Sequence, residues 1–181
     1  MQSEAKKIAK KSKSSFYYAF NLLPVAQREA MNIIYAFCRK TDDIVDEGDA
    51  SDDCKAKELR KWRLELEKSL TGISDYQLLN KLGGIINQFS IPVDPFFELI
   101  KGMEMDLAQK RYLSFTDLKQ YCYRVASTVG LMSIEIFGYN NKSAKEYAVN
   151  LGYALQMTNI IRDVKVDAEN GRIYLPQHQQ I

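Results

Sequence analysis

The 181-residue sequence contains a single histidine, His178, and this scarcity excludes several kinds of catalytic site. Zinc sites, di-iron helical bundles and Ser–His or Cys–His nucleophile systems nearly all need imidazole. Three cysteines, Cys38, Cys54 and Cys122, lie far apart without a CxxC motif. This spacing predicts free thiols in a reducing cytoplasm rather than a disulfide framework.

Long hydrophobic runs and strong charge imbalance are also missing. The charge-free stretch 147–161 contains several polar residues and is shorter than the roughly 20 apolar residues that a membrane-spanning helix needs. The basic start, MQSEAKKIAKKSKSS, is not followed by the apolar core of a signal peptide. With a net charge of +2, we expect a cytoplasmic protein that binds no nucleic acid. The N-terminal lysines favour a solvated tail, and peripheral contact with an anionic membrane surface is the alternative.

Helical patterns dominate a chain that has only 9 glycines and 4 prolines. Apolar residues recur at spacings of three and four, whereas strand patterns are nearly absent. The sequence therefore predicts an all-α helical bundle in one domain, 1–181. The predicted helices are Val25–Asp46, Lys55–Leu70 closed by Gly72, one from about Asp75 past Ile86, Asp94 toward Tyr112, Ser114 or Thr116 to about Gly138, and Ser143 to about Asp167, the last opened by a Ser143–Glu146 capping box.

Two acidic segments stand out, Asp42–Asp46 and Asp163–Asp167. In each, two aspartates lie four residues apart, which places them on one face of a helix. Like charges at this spacing cost an isolated helix roughly 0.2–0.5 kcal/mol, and acids near a helix C-terminus oppose the helix dipole. A bound cation or an arginine would relieve this repulsion.

The neighbouring residues favour Mg²⁺ as that cation. Arg39 lies three residues before Asp42. The last predicted helix carries a stripe of oxygen ligands at spacings of three and four: Gln156, Asn159, Asp163 and Asp167. Mg²⁺ prefers such hard ligands, usually one or two carboxylates together with water and phosphate oxygens. If the two helices face each other, the four aspartates hold a magnesium cluster that clamps a diphosphate.

A single DxxxD pattern is more often a solvated helix face than a site. Two such patterns, one with Arg39 and one with Asn159 nearby, favour the site. Asp43 also lies three residues before Asp46, so the first pair is ambiguous; Asp42 and Asp46 are the favoured pair.

The sequence resembles the squalene/phytoene synthases, the family of head-to-head prenyl transferases. Five segments carry the family's motifs in the family's order, over nearly the whole chain: Ser12–Phe16, Tyr35–Asp46, Tyr121–Gly130, Gln156–Asp167 and Arg172–Pro176. The second segment contains Cys-Arg-x-x-Asp-Asp-x-x-Asp and the fourth contains Asn-Ile-x-Arg-Asp-x-x-x-Asp. Ser12 stands where many relatives have histidine.

The resemblance implies an isoprenoid-synthase-type helical bundle and Mg²⁺-dependent condensation of two allylic prenyl diphosphates. The implied metal ligands are Asp42, Asp46, Asn159, Asp163 and Asp167. The implied substrate contacts are Ser12, Lys13, Ser14, Ser15, Phe16, Tyr35, Arg39, Val125, Gly130, Gln156, Arg162 and Arg172. The implied catalytic residues are Tyr35, Arg39, Asp42, Asp46, Tyr121, Asp163 and Asp167, the aromatic rings stabilising cations. Close helix packing explains Gly130 equally well.

Several alternatives stay open. The motif sequences most resemble those of bacterial enzymes that convert farnesyl diphosphate to presqualene diphosphate or squalene. A squalene product would require NADPH, although the sequence contains no GxGxxG motif for binding it. A phytoene synthase that uses geranylgeranyl diphosphate is the alternative. Two alternatives from other functional classes are an inactive helical scaffold and a terpene cyclase that uses a single substrate. Family chains continue past the Tyr-x-Pro segment, so these 181 residues are expected to be a front portion of the fold with weak or no turnover; the oligomeric state is not predicted.

Overall fold

The computed structural model describes residues 19–176, which form α-helices joined by short loops. Ser12, Lys13, Ser14, Ser15 and Phe16, and also His178, lie outside the described residues. Between residues 19 and 176, β-pairing is limited to one isolated parallel bridge between Arg111 and Ile173. The prediction of an all-α architecture is confirmed.

The helices within residues 19–176 are α1 (Val25–Asp46), α2 (Asp52–Ser69), α3 (Gln77–Phe89), α4 (Asp94–Ala108), α5 (Phe115–Cys122), a π-helical segment (Tyr123–Ser127), α6 (Thr128–Phe137) and α7 (Ser143–Glu169). The bounds of α1 are those predicted. α2 begins three residues earlier than predicted because Ser51 caps it, its side chain accepting a hydrogen bond from the Cys54 N–H. Gly72 ends this turn with a φ of +80°, a conformation that glycine adopts without strain.

Three predicted details are corrected. α4 ends at Ala108 rather than near Tyr112, because the Lys110 carbonyl instead accepts a hydrogen bond from the Ile173 N–H at 2.9 Å. The long helix predicted from Ser114 to Gly138 is interrupted by the π-helical segment. The Ser143–Glu146 capping box is absent: Lys142 is the N-cap residue, and the Ser143 N–H donates to the Asn141 side-chain oxygen at 3.0 Å.

The described residues divide into two compact units, and each has its own apolar interior. The first comprises residues 19–93 and 132–139 and contains α1, α2 and α3, which pack against one another. In it, Phe37 of α1 stacks on Trp62 of α2, and the edge of Tyr76 meets Trp62. The prediction of a single domain over 1–181 stays a prediction.

The second unit comprises residues 94–131 and 140–176. The π-helical segment packs against α4, α5 and α7. A buried cluster joins α5, α7 and the loop before α5 through Tyr112, Leu118, Tyr121, Cys122 and Ile160. None of the helices among the described residues has the length and apolar character to cross a membrane.

Candidate functional site

The first acidic segment lies at the C-terminal end of α1, where the structure places Arg39, Asp42 and Asp46 on successive turns. The Arg39 Nη1 donates to Asp42 Oδ2 at 3.1 Å, and its Nε contacts Asp43 Oδ1 at 2.7 Å. Asp46 is exposed, and the Asp42 side chain is 38% exposed. Asp43, whose role the sequence left ambiguous, pairs with the Nε of Arg39 and is less exposed than Asp42. The more accessible carboxylates are therefore the predicted pair, Asp42 and Asp46.

Two positively charged side chains, Arg39 and Lys55, contact this acidic end of α1. Burial lowers the pKa of Arg39, but the carboxylates of Asp42 and Asp43 outweigh it and raise the pKa overall. The Lys55 ammonium donates to the Val45 carbonyl at 2.6 Å, which stabilises the negative end of the helix dipole. The C-terminal end of α1 therefore has two positively charged side chains beside the carboxylates that are predicted to bind a metal.

Tyr35 lies two turns before Asp42 on α1 and is half-buried. Its ring makes an edge-to-face contact with the ring of Phe20, with the centroids 6.3 Å apart and an interplanar angle of 71°. The sequence-predicted Tyr35 therefore packs against one aromatic ring, Phe20, and lies on the helix that carries Asp42.

The second acidic segment lies on α7 in the other unit. The predicted oxygen stripe is half-buried along its whole length, at Gln156, Asn159, Asp163 and Asp167. The intervening Thr158, Ile161 and Val164 are exposed. Since α7 is one continuous helix over Ser143–Glu169, the spacings of three and four place the four residues on one face, as predicted.

Contacts along the stripe link its members. The Asn159 amide donates to Gln156 Oε1 at 3.5 Å. Arg162 holds both oxygens of Asp163, with Nε to Oδ1 at 2.8 Å and Nη2 to Oδ2 at 2.6 Å. The hydrogen bonds from Arg162 lower the pKa of Asp163. Asp163 is therefore held ionised, the form that a metal ion binds.

A cavity of about 200 Å³ lies beside the end of the stripe. Its walls include Asp167, Arg172 and Tyr174, and the remainder is mainly apolar, with Ile160 and Val164. Arg172 is tied to α7 through its N–H, which donates to the Asp167 carbonyl at 2.8 Å. The predicted metal ligand Asp167 and the predicted substrate contact Arg172 thus border one cavity.

Tyr121 is only 4% exposed and belongs to a group of tyrosines around a buried acid. Its hydroxyl donates to Asp106 Oδ2 at 3.0 Å, and the Tyr174 hydroxyl donates to Asp106 Oδ1 at 3.0 Å. The ring of Tyr121 also stacks on Tyr174, with centroids 5.2 Å apart. Burial, and then the negative charge of Asp106, raise the pKa of Tyr121 well above its usual value. Its predicted role in stabilising cations stays a prediction.

The sequence reasoning missed Asp106 and Tyr174. One signal was present: Phe96, Leu99, Met103 and Asp106 recur at spacings of three and four, so an acid occupies the apolar stripe of α4. All four are buried. An acid at an apolar position of this kind indicates a partner inside the fold.

Two further predicted substrate contacts lie at helix-packing positions. Val125 is half-buried against the tyrosine-rich cluster, within the π-helical segment. A Cβ placed on Gly130 would lie 2.8 Å from the Ala148 carbonyl oxygen of α7. The structure therefore explains Gly130 by close helix packing, and its role in passing a prenyl tail stays a prediction.

The donor set of the two acidic segments fits Mg²⁺ in kind, since it consists of carboxylate and amide oxygens. In the part of the chain that the structure describes, no three or more acidic, cysteine or histidine side chains are grouped so as to hold a metal ion. Mg²⁺ typically keeps several waters and binds through one or two carboxylates plus phosphate oxygens. The arrangement on α1 and on α7 is compatible with that mode.

A family model described as squalene/phytoene synthase matches residues 9–179. The chain belongs to the squalene/phytoene synthase family. It is 37% identical to the 15-cis-phytoene synthase of Synechococcus elongatus, an alignment that covers 97% of this chain and 61% of that protein. It is 40% identical to the phytoene synthase of Arthrospira platensis, over 90% of this chain and 56% of that protein.

Solved structures agree with this assignment. A dehydrosqualene synthase in complex with ligand superposes with a TM-score of 0.85 at 34% identity, covering 95% of this chain and 59% of that one. A squalene synthase from Alicyclobacillus acidocaldarius superposes with a TM-score of 0.83 at 27% identity, over 95% and 66%. The expected isoprenoid-synthase-type helical fold is confirmed. This member of the squalene/phytoene synthase family spans about three fifths of the length of the relatives that it matches.

Proposed function

We propose that this chain binds allylic prenyl diphosphates together with Mg²⁺ and acts in their head-to-head condensation, as a phytoene synthase. One observation carries the proposal: each acidic segment pairs its first aspartate with a neighbouring arginine. Arg39 contacts Asp42 at 3.1 Å, and Arg162 contacts Asp163 at 2.6 Å. Paired acids and arginines are the groups needed to hold a metal–diphosphate, because one binds the cation and the other the phosphate oxygens.

The residues would divide this work as follows. Asp42 and Asp46 on α1, and Asn159, Asp163 and Asp167 on α7, would hold the metal. Mg²⁺, when bound, neutralises the charge that develops on a departing diphosphate. Arg39, Arg162 and Arg172 would donate hydrogen bonds to phosphate oxygens, and Arg suits this because its planar guanidinium binds such oxygens in pairs.

Accessibility supports the assignment. The side chains of Asp42 and Asp163 are 38% and 39% exposed. These carboxylates are thus reachable from solvent, although each already contacts an arginine.

The relatives favour geranylgeranyl diphosphate as the substrate. The two relatives described above are named phytoene synthases, and a Zea mays relative with the same activity in its name is 42% identical. This shifts the preference away from farnesyl diphosphate and squalene, which the motif wording alone favoured. NADPH belongs only to the squalene alternative and is not part of the proposal.

A squalene-type activity is kept as the second candidate for one reason. The solved structures that superpose with TM-scores of 0.85 and 0.83 are named dehydrosqualene and squalene synthases.

Binding of inorganic pyrophosphate with MgCl₂, followed by calorimetry, tests the diphosphate site. We expect the parent chain to bind, and Asp42→Asn and Asp163→Asn each to weaken binding at least tenfold. Asp49→Asn is the matched control, since Asp49 is exposed three residues past Asp46 and should leave the affinity unchanged. A parent chain that does not bind would contradict the proposal and favour the inactive scaffold.

Product analysis tests the reaction. Because turnover by these 181 residues is expected to be weak, the chain is used in excess over labelled geranylgeranyl and farnesyl diphosphate in competition, and the product expected is phytoene from the former. Presqualene diphosphate or squalene would support the second candidate. A cyclic product from one substrate molecule would show a terpene cyclase instead.

A further inference from the structure

We infer that Asp106 is a positioning residue: it holds Tyr174, and thereby keeps Arg172 beside Asp167 at the cavity next to α7. The inference rests on the proposed function, because that function assigns Arg172 to a phosphate and Asp167 to the metal. Asp106 itself lies on α4 and belongs to none of the family motifs named above.

The carboxylate of Asp106 is buried and bonded on both oxygens. It is 6% exposed, and its two oxygens each accept one tyrosine hydroxyl at 3.0 Å, from Tyr121 and from Tyr174. The two hydroxyls lie 3.4 Å apart. A buried carboxylate is stable only with such partners, so the geometry fixes both tyrosines with respect to α4.

Tyr174 lies in the segment that follows α7, two residues past Arg172. This segment is held at its backbone by the Ile173 N–H, which donates to the Lys110 carbonyl at 2.9 Å. The ring of Tyr174 stacks on Tyr112 and on Tyr121, with centroids 5.9 and 5.2 Å apart. Asp106 accepts the shorter of the two hydrogen bonds at the Tyr174 hydroxyl, at 3.0 Å against 3.4 Å for the contact with the Tyr121 hydroxyl.

The attachment has a direct neighbour in the candidate site. Tyr174, Arg172 and Asp167 all border the cavity of about 200 Å³. Releasing Tyr174 would therefore loosen the wall that contains Arg172, although Asp106 does not itself line the cavity. The prediction is an effect on phosphate binding that passes through Arg172.

Amide hydrogen exchange tests the attachment without relying on any ligand. Asp106→Asn keeps the shape of the side chain but replaces one acceptor oxygen with an NH₂ group. We expect it, and likewise Tyr174→Phe, to speed exchange of the Ile173 amide at least tenfold. Tyr112→Phe is the matched control and should leave exchange unchanged, because the buried Tyr112 hydroxyl has no hydrogen-bond partner among the described residues.

Pyrophosphate affinity in MgCl₂ tests positioning against a merely structural role. Asp106→Asn and Arg172→Gln are each expected to weaken binding about fivefold or more. The double variant should be no weaker than Arg172→Gln alone, since Asp106 acts through Arg172. Melting temperatures of all variants report any general loss of stability.

The outcomes separate the two proposals. An unchanged exchange rate of the Ile173 amide in Asp106→Asn overturns the inference. Faster exchange also overturns it if the pyrophosphate affinity is unchanged, or if the losses of affinity in Asp106→Asn and Arg172→Gln add fully in the double variant. A parent chain that does not bind pyrophosphate overturns the proposed function and the use of Arg172 for phosphate. In that case, faster exchange of the Ile173 amide in Asp106→Asn still supports the attachment of Tyr174 to Asp106, and unchanged exchange contradicts this attachment as well.

Discussion

The indole nitrogen of Trp62 donates a hydrogen bond to the hydroxyl of Thr41 at 2.9 Å, and both side chains are buried. Thr41 directly precedes Asp42, and its own hydroxyl donates to the Phe37 carbonyl at 2.8 Å. The single tryptophan of the chain therefore anchors α1 one residue before the first predicted metal ligand.

Thr41→Val is expected to destabilise the chain by about 1–3 kcal/mol, because the change leaves the Trp62 N–H buried without an acceptor. Urea unfolding followed by tryptophan fluorescence measures the loss. Thr71→Val is the control: its hydroxyl makes the same kind of bond, to the Lys68 carbonyl at 2.8 Å, but is exposed. A loss at Thr41 no larger than at Thr71 would refute the anchoring role.

Glu65 is expected to make stability depend on acid. It is 3% exposed and accepts hydrogen bonds from Lys68, Ser74 and the Asp75 N–H. These bonds lower its pKa to about 2, from an ordinary 4.5. A lowered pKa means that its contribution is complete above pH 4.5 and is lost as the pH falls toward 2.

Denaturant unfolding between pH 7 and pH 2.5 measures this dependence. Glu65→Gln should lower stability at pH 7 and flatten the decline below pH 4.5. Glu67→Gln serves as control, since Glu67 makes only a longer contact of 3.5 Å with Arg63 at the surface. Equal slopes for the parent and Glu65→Gln would contradict the prediction.

Arg162 is expected to compete with Mg²⁺ for Asp163, because it bonds both carboxylate oxygens. Arg162→Gln should therefore tighten binding of Mg²⁺ alone, about threefold, and weaken binding of the Mg²⁺–pyrophosphate pair, which loses a phosphate contact. Calorimetric titrations with and without pyrophosphate separate the two effects. Arg60→Gln, an exposed change of the same charge on α2, should alter neither; effects of the same sign in both titrations would count against this competition.

The three thiols are expected to react at very different rates. Burial raises the pKa of Cys38 to about 12, to which Asp42 contributes, and burial raises that of Cys122 to about 11. Cys54 is exposed. Iodoacetamide at pH 8 should thus alkylate Cys54 first, as mass spectrometry of the digested protein would show; rapid labelling of Cys122 would indicate an open second unit.

The helices were largely predictable because their signals are local. The bounds of α1 follow from an apolar repeat with Pro24 before it, and Ser114 caps α5 as expected, accepting a hydrogen bond from the Asp117 N–H at 3.1 Å. Ser143 misled for the same local reason: its sequence context fits a cap, but Asn141 provides the side-chain oxygen there.

The candidate site was only partly predictable. The stripe on α7 follows from spacing, and the continuous helix over Ser143–Glu169 places its residues on one face. The bond between Asp106 and Tyr174 joins residues 68 positions apart, and no periodicity reports a contact at that distance in the sequence. Whether the acidic segments of α1 and α7 act on one diphosphate stays a prediction.

Glycines at helix contacts bear on how a mutational scan of this protein should be interpreted. A Cβ on Gly102 would lie 2.7 Å from Val125, one on Gly130 would lie 2.8 Å from the Ala148 carbonyl, and one on Gly152 would overlap the backbone of Ser127. A side chain at Gly130 or Gly152 meets backbone and must push the packed segments apart, whereas one at Gly102 must displace the Val125 side chain. These glycine positions would therefore rank with the aspartates among the least tolerant sites for reasons of helix packing, and only a stability measurement on each variant would tell the two groups apart.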